Sequence, residues 1–292
     1  MEKSRFNELP LKAKLEHYRR EYESVGVLSG FIGNSYKKNI STREISTKIR
    51  VKLEELLVDK NIINSRVDFK LEDLHAYIPE SMKTYNFNSG VNVISQKFYE
   101  TDIEFRNLYL EFIKGLYNNF FHFPFYFQKT PTIRLHCPDA IKSNHYPRYH
   151  SDVGYGHPPQ EINLWIPLTH PVEKQKHGFR VMDLDSTRKI LDGYNYNFES
   201  FINDAIKSKI FNQEMNKYSP QVDTVFGESF IFDSRCLHSA EPLKRHTRVS
   251  IDIRFISIAD YQRDKYLYQG QGKLKSLYEP GQAYDILSSD IL

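Results

Sequence analysis

The stretch RVSIDIRF, residues 248–255, alternates apolar and polar side chains with a period of two. Successive side chains of a β-strand point to opposite faces, so this alternation predicts a strand with one apolar face. TIRLHC at 132–137 and EINLWIPL at 161–168 show the same pattern. Because loops containing glycine and proline separate these segments, they predict an antiparallel sandwich or barrel.

The polar faces of the three predicted strands have an unusual composition. They carry arginine, histidine, asparagine and tryptophan, whereas a solvated surface carries mainly residues such as lysine and glutamate. A jelly-roll barrel would explain this composition, because its apolar strand faces pack on helices while its polar faces line a cavity. The residues expected to face the cavity are Arg134, His136, Asn163, Trp165, Arg248, Ser250, Asp252 and Arg254.

The region before residue 125 is predicted to be helical. Apolar residues recur there at spacings of three and four, which is the pattern of one helical face. The segments with this pattern are residues 11–22, 45–56 and 105–116. Two segments have the spacing of a capping box, Ser41 with Glu44 and Thr101 with Glu104. Helices are therefore expected to begin at Ser41 and at Thr101.

The domain organisation is predicted to be a single domain, residues 1–292. A more polar insertion, residues 171–218, interrupts the barrel and contains a predicted helix near residues 199–209. The C-terminal tail is rich in aromatic residues, so it is expected to pack on the domain or on a partner subunit. The parts in order are a mainly helical region (1–124), a jelly-roll core (125–258) and the tail (259–292).

The composition is typical of a globular protein. Hydrophobic residues make up 40% of the chain and charged residues 26%, and the net charge is +3. This balance argues against nucleic-acid binding, and no apolar run reaches the ~18 residues that a membrane span requires. Cys137 and Cys236 are too few for a disulfide framework, so a reducing cytoplasm is expected. The expected partner is a small-molecule substrate, and a homo-oligomer is compatible with the sequence.

Three residues are candidate metal ligands. His150 and Asp152 are two residues apart, so on a strand their side chains would point the same way. His238 lies at the far end of the strand predicted in ESFIFDSRCLHSAEP, residues 228–242. Two histidines and one carboxylate on one face of a divalent ion form the facial triad of non-haem iron(II) oxygenases, which leaves other positions open.

Arg248 follows His238 by ten residues, and Ser250 lies on the same strand face as Arg248. An iron site that uses 2-oxoglutarate needs an anchor for the distal carboxylate of this co-substrate. Arginine suits that task because it donates two parallel hydrogen bonds, and a neighbouring hydroxyl adds another. The two residues are therefore a candidate 2-oxoglutarate anchor.

The ligand and anchor motifs together resemble those of the iron(II)/2-oxoglutarate-dependent oxygenases. The stretches QKTPTIRLHCP, HSDVGYGHPPQEINLWIPLT and TRVSIDIRF resemble the branch near phytanoyl-CoA dioxygenase. Within that branch, they are most similar to oxygenases of bacterial carbohydrate and aminoglycoside gene clusters, the streptomycin-biosynthesis type. The resemblance covers residues 128–255. It implies an α+β fold, a double-stranded β-helix (jelly-roll barrel) with flanking N-terminal helices.

The resemblance also implies roles for individual residues. Fe2+ would be held by His150, Asp152 and His238, and the same residues with Arg248 would form the catalytic set. The candidates for binding 2-oxoglutarate are Arg248, Ser250, Asn163, Trp165 and Gln128. The candidate substrate contacts are Arg134, His136, Tyr155 and His157. The implied reaction consumes O2, hydroxylates a small polar metabolite such as a sugar or sugar-derived compound, and releases succinate and CO2.

Other interpretations compete with these roles. A zinc-dependent hydrolase on a jelly-roll scaffold would use the same two histidines and carboxylate, and a non-catalytic jelly roll would bind carbohydrate without a metal. For Arg248 itself, the alternative is a structural ion pair with Asp252, its neighbour on the same strand face. For the remaining residues, the alternatives are a core position for Trp165, a polar pair for Arg134 and His136, and a loop-shaping role for Tyr155 and His157.

Overall fold

The structure of the chain is a computed structural model that describes residues 10–33, 37–79, 83, 102–138, 149–172, 176–241, 243–264 and 284–287. The strands are β1 (Lys37–Ser41), β2 (Phe125–Gln128), β3 (Thr132–His136), β4 (Ile162–Pro167), β5 (Phe179–Val181), β6 (Glu228–Asp233), β7 (His238–Ala240), β8 (Arg248–Ser257) and β9 (Tyr284–Leu287). The α-helices are α1 (Leu11–Glu23), α2 (Val27–Ile32), α3 (Arg43–Asp59), α4 (Ile103–Leu116), α5 (Leu184–Gly193), α6 (Phe198–Lys207), α7 (Lys209–Asn216) and α8 (Ile258–Asp264). Short 3-10 turns occupy Leu71–Ala76 and Asp152–Tyr155.

Two antiparallel sheets form the barrel. The large sheet has the strand order β1-β6-β4-β8-β2-β9, and β3 also pairs with β8. The small sheet consists of β5 and β7, and a bridge between His150 and His238 lies beside it. The sheets pack together where Trp165 of β4 stacks on Phe179 of β5, with ring centroids 5.0 Å apart. The predicted double-stranded β-helix with flanking helices is confirmed.

The outer face of the large sheet is apolar, as the two-residue period predicts. Ile162, Leu164 and Ile166 of β4 lie on this face, and they belong to one buried cluster with apolar residues of α3 and α4. Leu53 of α3 and Phe112 of α4 are among the helical members. Burying an aliphatic or aromatic side chain of this size contributes about 1.5–3 kcal/mol, so this layer stabilises the barrel from outside.

The inner face of the large sheet carries the polar residues. In the register of β4 and β8, Asn163 pairs with Arg254 and Trp165 pairs with Asp252. On the other edge of β8, Arg134 pairs with Ser250. Paired residues of neighbouring antiparallel strands point to the same side of a sheet. The register therefore places the predicted polar faces together on the side opposite the apolar cluster.

The structure contradicts one predicted capping box, and the other includes a residue outside the described part of the chain. Ser41 lies on β1, opposite Glu228 of β6, so α3 begins after Thr42 and the Ser41–Glu44 prediction is wrong. Pairing with a distant strand decides this boundary, and it cannot be read from local spacing. Thr101 lies outside the described residues, and Asp102 caps α4 by accepting a hydrogen bond from the backbone N–H of Phe105 at 2.7 Å.

The insertion contains more helix than predicted. Three helices, α5 to α7, occupy Leu184–Asn216, and the predicted helix near 199–209 ends at Lys207 because Ser208 caps the next helix. In the tail, β9 pairs with β2 along the edge of the large sheet. Among the helices of the described residues, none is both long and apolar enough to span a bilayer.

Candidate metal centre

The side chains of His150, Asp152 and His238 converge in the barrel. One ligand atom from each lies within 4.8 Å of the others, and all three residues are almost entirely shielded from solvent. The backbones of the two histidines are joined directly: the N–H of His150 donates to the carbonyl of His238 at 3.1 Å, and the reverse bond measures 2.9 Å. The bridge therefore brings together two ligands that are distant in sequence.

The turn that follows His150 positions the carboxylate. Asp152 begins a 3-10 turn whose N-cap is Ser151. The N–H of Asp152 donates to the carbonyl of Ser234 at 3.1 Å, and its own carbonyl accepts from the N–H of His157 at 3.2 Å. The bond to Ser234 ties the Asp152 segment to the turn between β6 and β7, which leads to His238.

The two carboxylate oxygens of Asp152 have different surroundings. Oδ2 accepts hydrogen bonds from Nδ2 of Asn163 at 2.8 Å and from Nε of Arg254 at 3.0 Å. Oδ1 faces the ligand nitrogens, 3.9 Å from Nε2 of His150 and 3.8 Å from Nε2 of His238. Burial alone would raise the pKa of Asp152, but the charge of Arg254 holds that pKa well below its usual range. Asp152 is therefore an anionic group with one oxygen directed at the histidines.

His238 is oriented by its neighbour. Its Nδ1 lies 3.0 Å from the carbonyl oxygen of Cys236, and since a carbonyl only accepts, Nδ1 carries the proton of that bond. In the neutral ring, Nε2 then presents its lone pair toward the other ligands. Burial lowers the pKa of His238, which favours the neutral ring that metal binding requires.

The arrangement of these donors suits a divalent cation. Two imidazole nitrogens and one carboxylate oxygen are the donor set of open, catalytic sites for iron(II) and also for zinc.

Arg254 was expected on the cavity face, but the sequence assigned it no role. Its position on the same strand face as Arg248 and Ser250 was the available signal, and its partner Asp152 could not be identified from spacing.

The predicted anchor lies at the start of β8. Arg248 is 1% exposed, and its Nη1 donates to the carbonyl of His177 at 2.5 Å, while its Nη2 contacts Nδ1 of His136. The hydroxyl of Ser250 is buried and makes no hydrogen bond with any described residue. Asp252 pairs with Arg134, its Oδ2 lying 2.7 Å from Nε, so the alternative ion pair between Arg248 and Asp252 is wrong.

The other predicted co-substrate residues have partners within the protein. Asn163 donates to Asp152, which is a different contact from the one predicted. Trp165 faces the barrel interior, where it packs on Phe179 and lies edge-on to His177. The remaining candidate, Gln128, donates from Nε2 to the hydroxyl of Thr132 at 3.0 Å, and its buried Oε1 has no hydrogen-bond partner among the described residues.

The predicted substrate contacts have different neighbours in the structure. The ring of Tyr155 is close, with its centroid 4.9 Å from that of His150. His157 is held by Glu161, whose Oε2 lies 2.6 Å from its Nδ1. His136 contacts Arg248, and burial together with that charge places its pKa well below the ordinary value.

Comparisons with known proteins give partial similarities. No family model matches the chain. A 44-residue stretch is 39% identical to the streptomycin biosynthesis protein StrG of Streptomyces griseus, covering 15% of this chain and about a fifth (21%) of StrG. Similar solved structures include the non-heme alpha-ketoglutarate-dependent carbocyclase SnoK from nogalamycin biosynthesis (15% identity, TM-score 0.47, 91% of this chain and 98% of SnoK). Iron-bound EctD from S. alaskensis is another (9% identity, TM-score 0.46, 80% of this chain and 76% of EctD).

Proposed function

We propose that this protein is an iron(II)/2-oxoglutarate-dependent oxygenase that hydroxylates a small polar metabolite. The observation that carries the proposal is the convergence of His150, Asp152 and His238 within 4.8 Å inside a double-stranded β-helix. The arginine and serine of the predicted anchor, Arg248 and Ser250, lie on the inner face of the same barrel. Polar residues with only a structural role would not need a metal-ligand triad and an arginine–serine pair inside the same barrel.

The residues fit the groups that the proposal needs. Iron would be held by Nε2 of both histidines and Oδ1 of Asp152, because the remaining polar atoms of Asp152 and His238 already have protein partners. The buried Ser250 hydroxyl would bond to a carboxylate oxygen of 2-oxoglutarate beside Arg248, and it has no other hydrogen-bond partner in the described chain. Bound iron with 2-oxoglutarate would supply oxygen activation, in which 2-oxoglutarate is converted to succinate and CO2 and one oxygen atom enters the substrate.

The protein's own contribution is positioning and exclusion of water. Arg254 and Asn163 prevent rotation of the Asp152 carboxylate by binding Oδ2, so Oδ1 stays directed at the two histidines. Trp165, Phe179 and Phe232 form an aromatic wall beside the ring of His238. This wall keeps bulk water from that side of the ligands, where competing reactions would otherwise begin.

The substrate class is proposed to be a sugar or a sugar-derived compound. Arg134 and Asp252 form an ion pair on the inner face, and each side chain is about one fifth exposed (20% and 23%). Such a pair offers both donors and acceptors to a hydroxyl-rich molecule. The partial similarity to StrG, a protein of streptomycin biosynthesis, supports the same class and the resemblance to the streptomycin-biosynthesis type.

The test is succinate formation by anaerobically purified protein after addition of Fe(II), 2-oxoglutarate and oxygen. We expect turnover to require all three and to be lost in Arg248→Ala. Arg19→Ala is the matched control, because Arg19 forms a solvent-exposed pair with Asp192, and it should behave as wild type. Stoichiometric zinc in the purified protein, with no 2-oxoglutarate turnover after exchange for iron, would instead favour the hydrolase.

A further inference from the structure

The N-terminal helix ends against the turn that leads to His238. Arg235, in that turn, is 1% exposed, and its Nη1 donates to the carbonyls of Glu21 at 3.0 Å and Tyr22 at 3.3 Å, and to that of Ser24. The last carbonyls of a helix have no partner within the helix. Arg235 therefore binds carbonyls at the C-terminal end of α1, together with Arg188, which also donates to the carbonyl of Tyr22. Arg235 in this way fixes the helix end to the turn between β6 and β7.

Arg235 is itself held rigidly. Its Nε and Nη2 donate to the two carboxylate oxygens of Asp233 at 2.9 and 2.8 Å, and both side chains are inaccessible to solvent. Ser29 of α2 donates to the same carboxylate at 2.7 Å. A bidentate arginine–carboxylate pair with additional hydrogen bonds has little freedom to move. The end of α1 is thus set in one position relative to the ligand-bearing turns.

The Tyr22 hydroxyl connects the two segments that carry the triad. It donates to the carbonyl of Arg235 at 3.2 Å, and it lies 3.0 Å from the hydroxyl of Ser151. Ser151 stands between His150 and Asp152, and Arg235 precedes His238 by three residues. Tyr22 is fully buried, with its ring packed edge-on against Tyr196.

We propose that Tyr22 is a positioning residue of the metal centre, through which the N-terminal helix sets the spacing between the His150–Asp152 segment and the His238 segment. The inference rests on the proposed function only in requiring that the triad binds a metal. Tyr22 is not one of the three ligand residues, and its hydroxyl would act on them through Ser151 and Arg235. Groups that orient the ligands of a metal typically change metal affinity by ten- to a hundredfold when they are removed.

The experiment measures Co(II) binding by the full-length, metal-free protein through the visible absorption of bound cobalt. Tyr22→Phe keeps the buried ring and removes only the hydroxyl, and we expect it to weaken Co(II) binding by about tenfold and to shift the absorption band. Tyr194→Phe is the matched control, because it also removes one phenol hydrogen bond, to Asp204, outside the ligand-bearing segments. It should bind Co(II) as wild type does.

The melting temperature of the metal-free variants separates positioning from general stability. Both tyrosine variants are expected to melt within a few degrees of each other, while only Tyr22→Phe loses Co(II) affinity. Equal affinity in wild type and Tyr22→Phe, or equal losses in both variants, would overturn the inference and leave the proposed function standing. Absence of Co(II) binding by wild type would overturn both. If Tyr22→Phe does not fold, Ser151→Ala removes the same hydrogen bond from the other side, together with the cap that Ser151 provides to the Asp152 turn. Unchanged affinity in that variant would overturn the inference.

Discussion

At the scale of single residues, the centre depends on the unequal surroundings of the two oxygens of Asp152. Arg254 and Asn163 take one oxygen, and the other faces the two histidines. A buried carboxylate is costly without such partners, since desolvation opposes its charge. Arg254 therefore both neutralises Asp152 and leaves one oxygen available for a cation.

This dependence predicts the effect of Arg254→Gln on the metal-free protein. Removing one partner of a buried ion pair leaves an uncompensated charge, so we expect the free energy of unfolding to fall by about 3 kcal/mol in urea denaturation. Arg19→Gln breaks the exposed pair with Asp192 and should cost less than about 1 kcal/mol. Equal losses in the two variants would show that Asp152 does not depend on Arg254.

At the scale of elements, Glu72 joins three parts of the fold. It lies in the 3-10 turn Leu71–Ala76, its carboxylate accepts two hydrogen bonds from Arg50 of α3 at 2.8 and 2.9 Å, and it also accepts from the N–H of His170 after β4. Arg50 in turn donates to the carbonyl of Leu168 at 3.0 Å. The outer helix is thereby fixed to the end of a central barrel strand.

This junction predicts a pH dependence of stability. Burial alone would raise the pKa of Glu72, but the hydrogen bonds from Arg50 and His170 lower it to about 2. A lowered pKa gives stability that is complete above the ordinary value near 4.5 and is lost as pH falls toward 2. Between pH 6 and pH 3, Glu72→Gln should lose less stability than wild type, by roughly 1–2 kcal/mol. Glu44→Gln, at an exposed glutamate, should keep the wild-type slope, and an unchanged slope in Glu72→Gln would refute the assignment.

The loop before β5 requires glycine at position 178. Gly178 has a φ of +62°, and an added Cβ there would collide with the carbonyl oxygen of Glu241, which itself accepts a hydrogen bond from Nη1 of Arg248. Gly178→Ala should therefore lower the free energy of unfolding by about 1–3 kcal/mol. Gly193→Ala, at a helical glycine with open space, should be neutral or slightly stabilising. Thermal denaturation of both variants measures these changes in stability. Wild-type stability of Gly178→Ala would contradict this description of the loop.

At the scale of the whole molecule, periodicity predicted the faces of the strands but not their distant partners. The alternation in residues 132–137, 161–168 and 248–255 correctly separated the apolar outer face from the polar inner face, because a two-residue period carries directly into a strand. The pairing of Asp152 with Arg254, and the start of α3 after Thr42, follow from contacts between remote segments. No local pattern encodes those contacts.

In the proposed function, the triad binds iron and the barrel binds 2-oxoglutarate beside it. The most direct measurement is the visible absorption of anaerobic, Fe(II)-loaded protein titrated with 2-oxoglutarate. We predict a 2-oxoglutarate-dependent absorption band in wild type that is absent in His238→Ala and requires a much higher 2-oxoglutarate concentration in Arg248→Ala. Stoichiometric metal binding by wild type with no band at any 2-oxoglutarate concentration would contradict the claim.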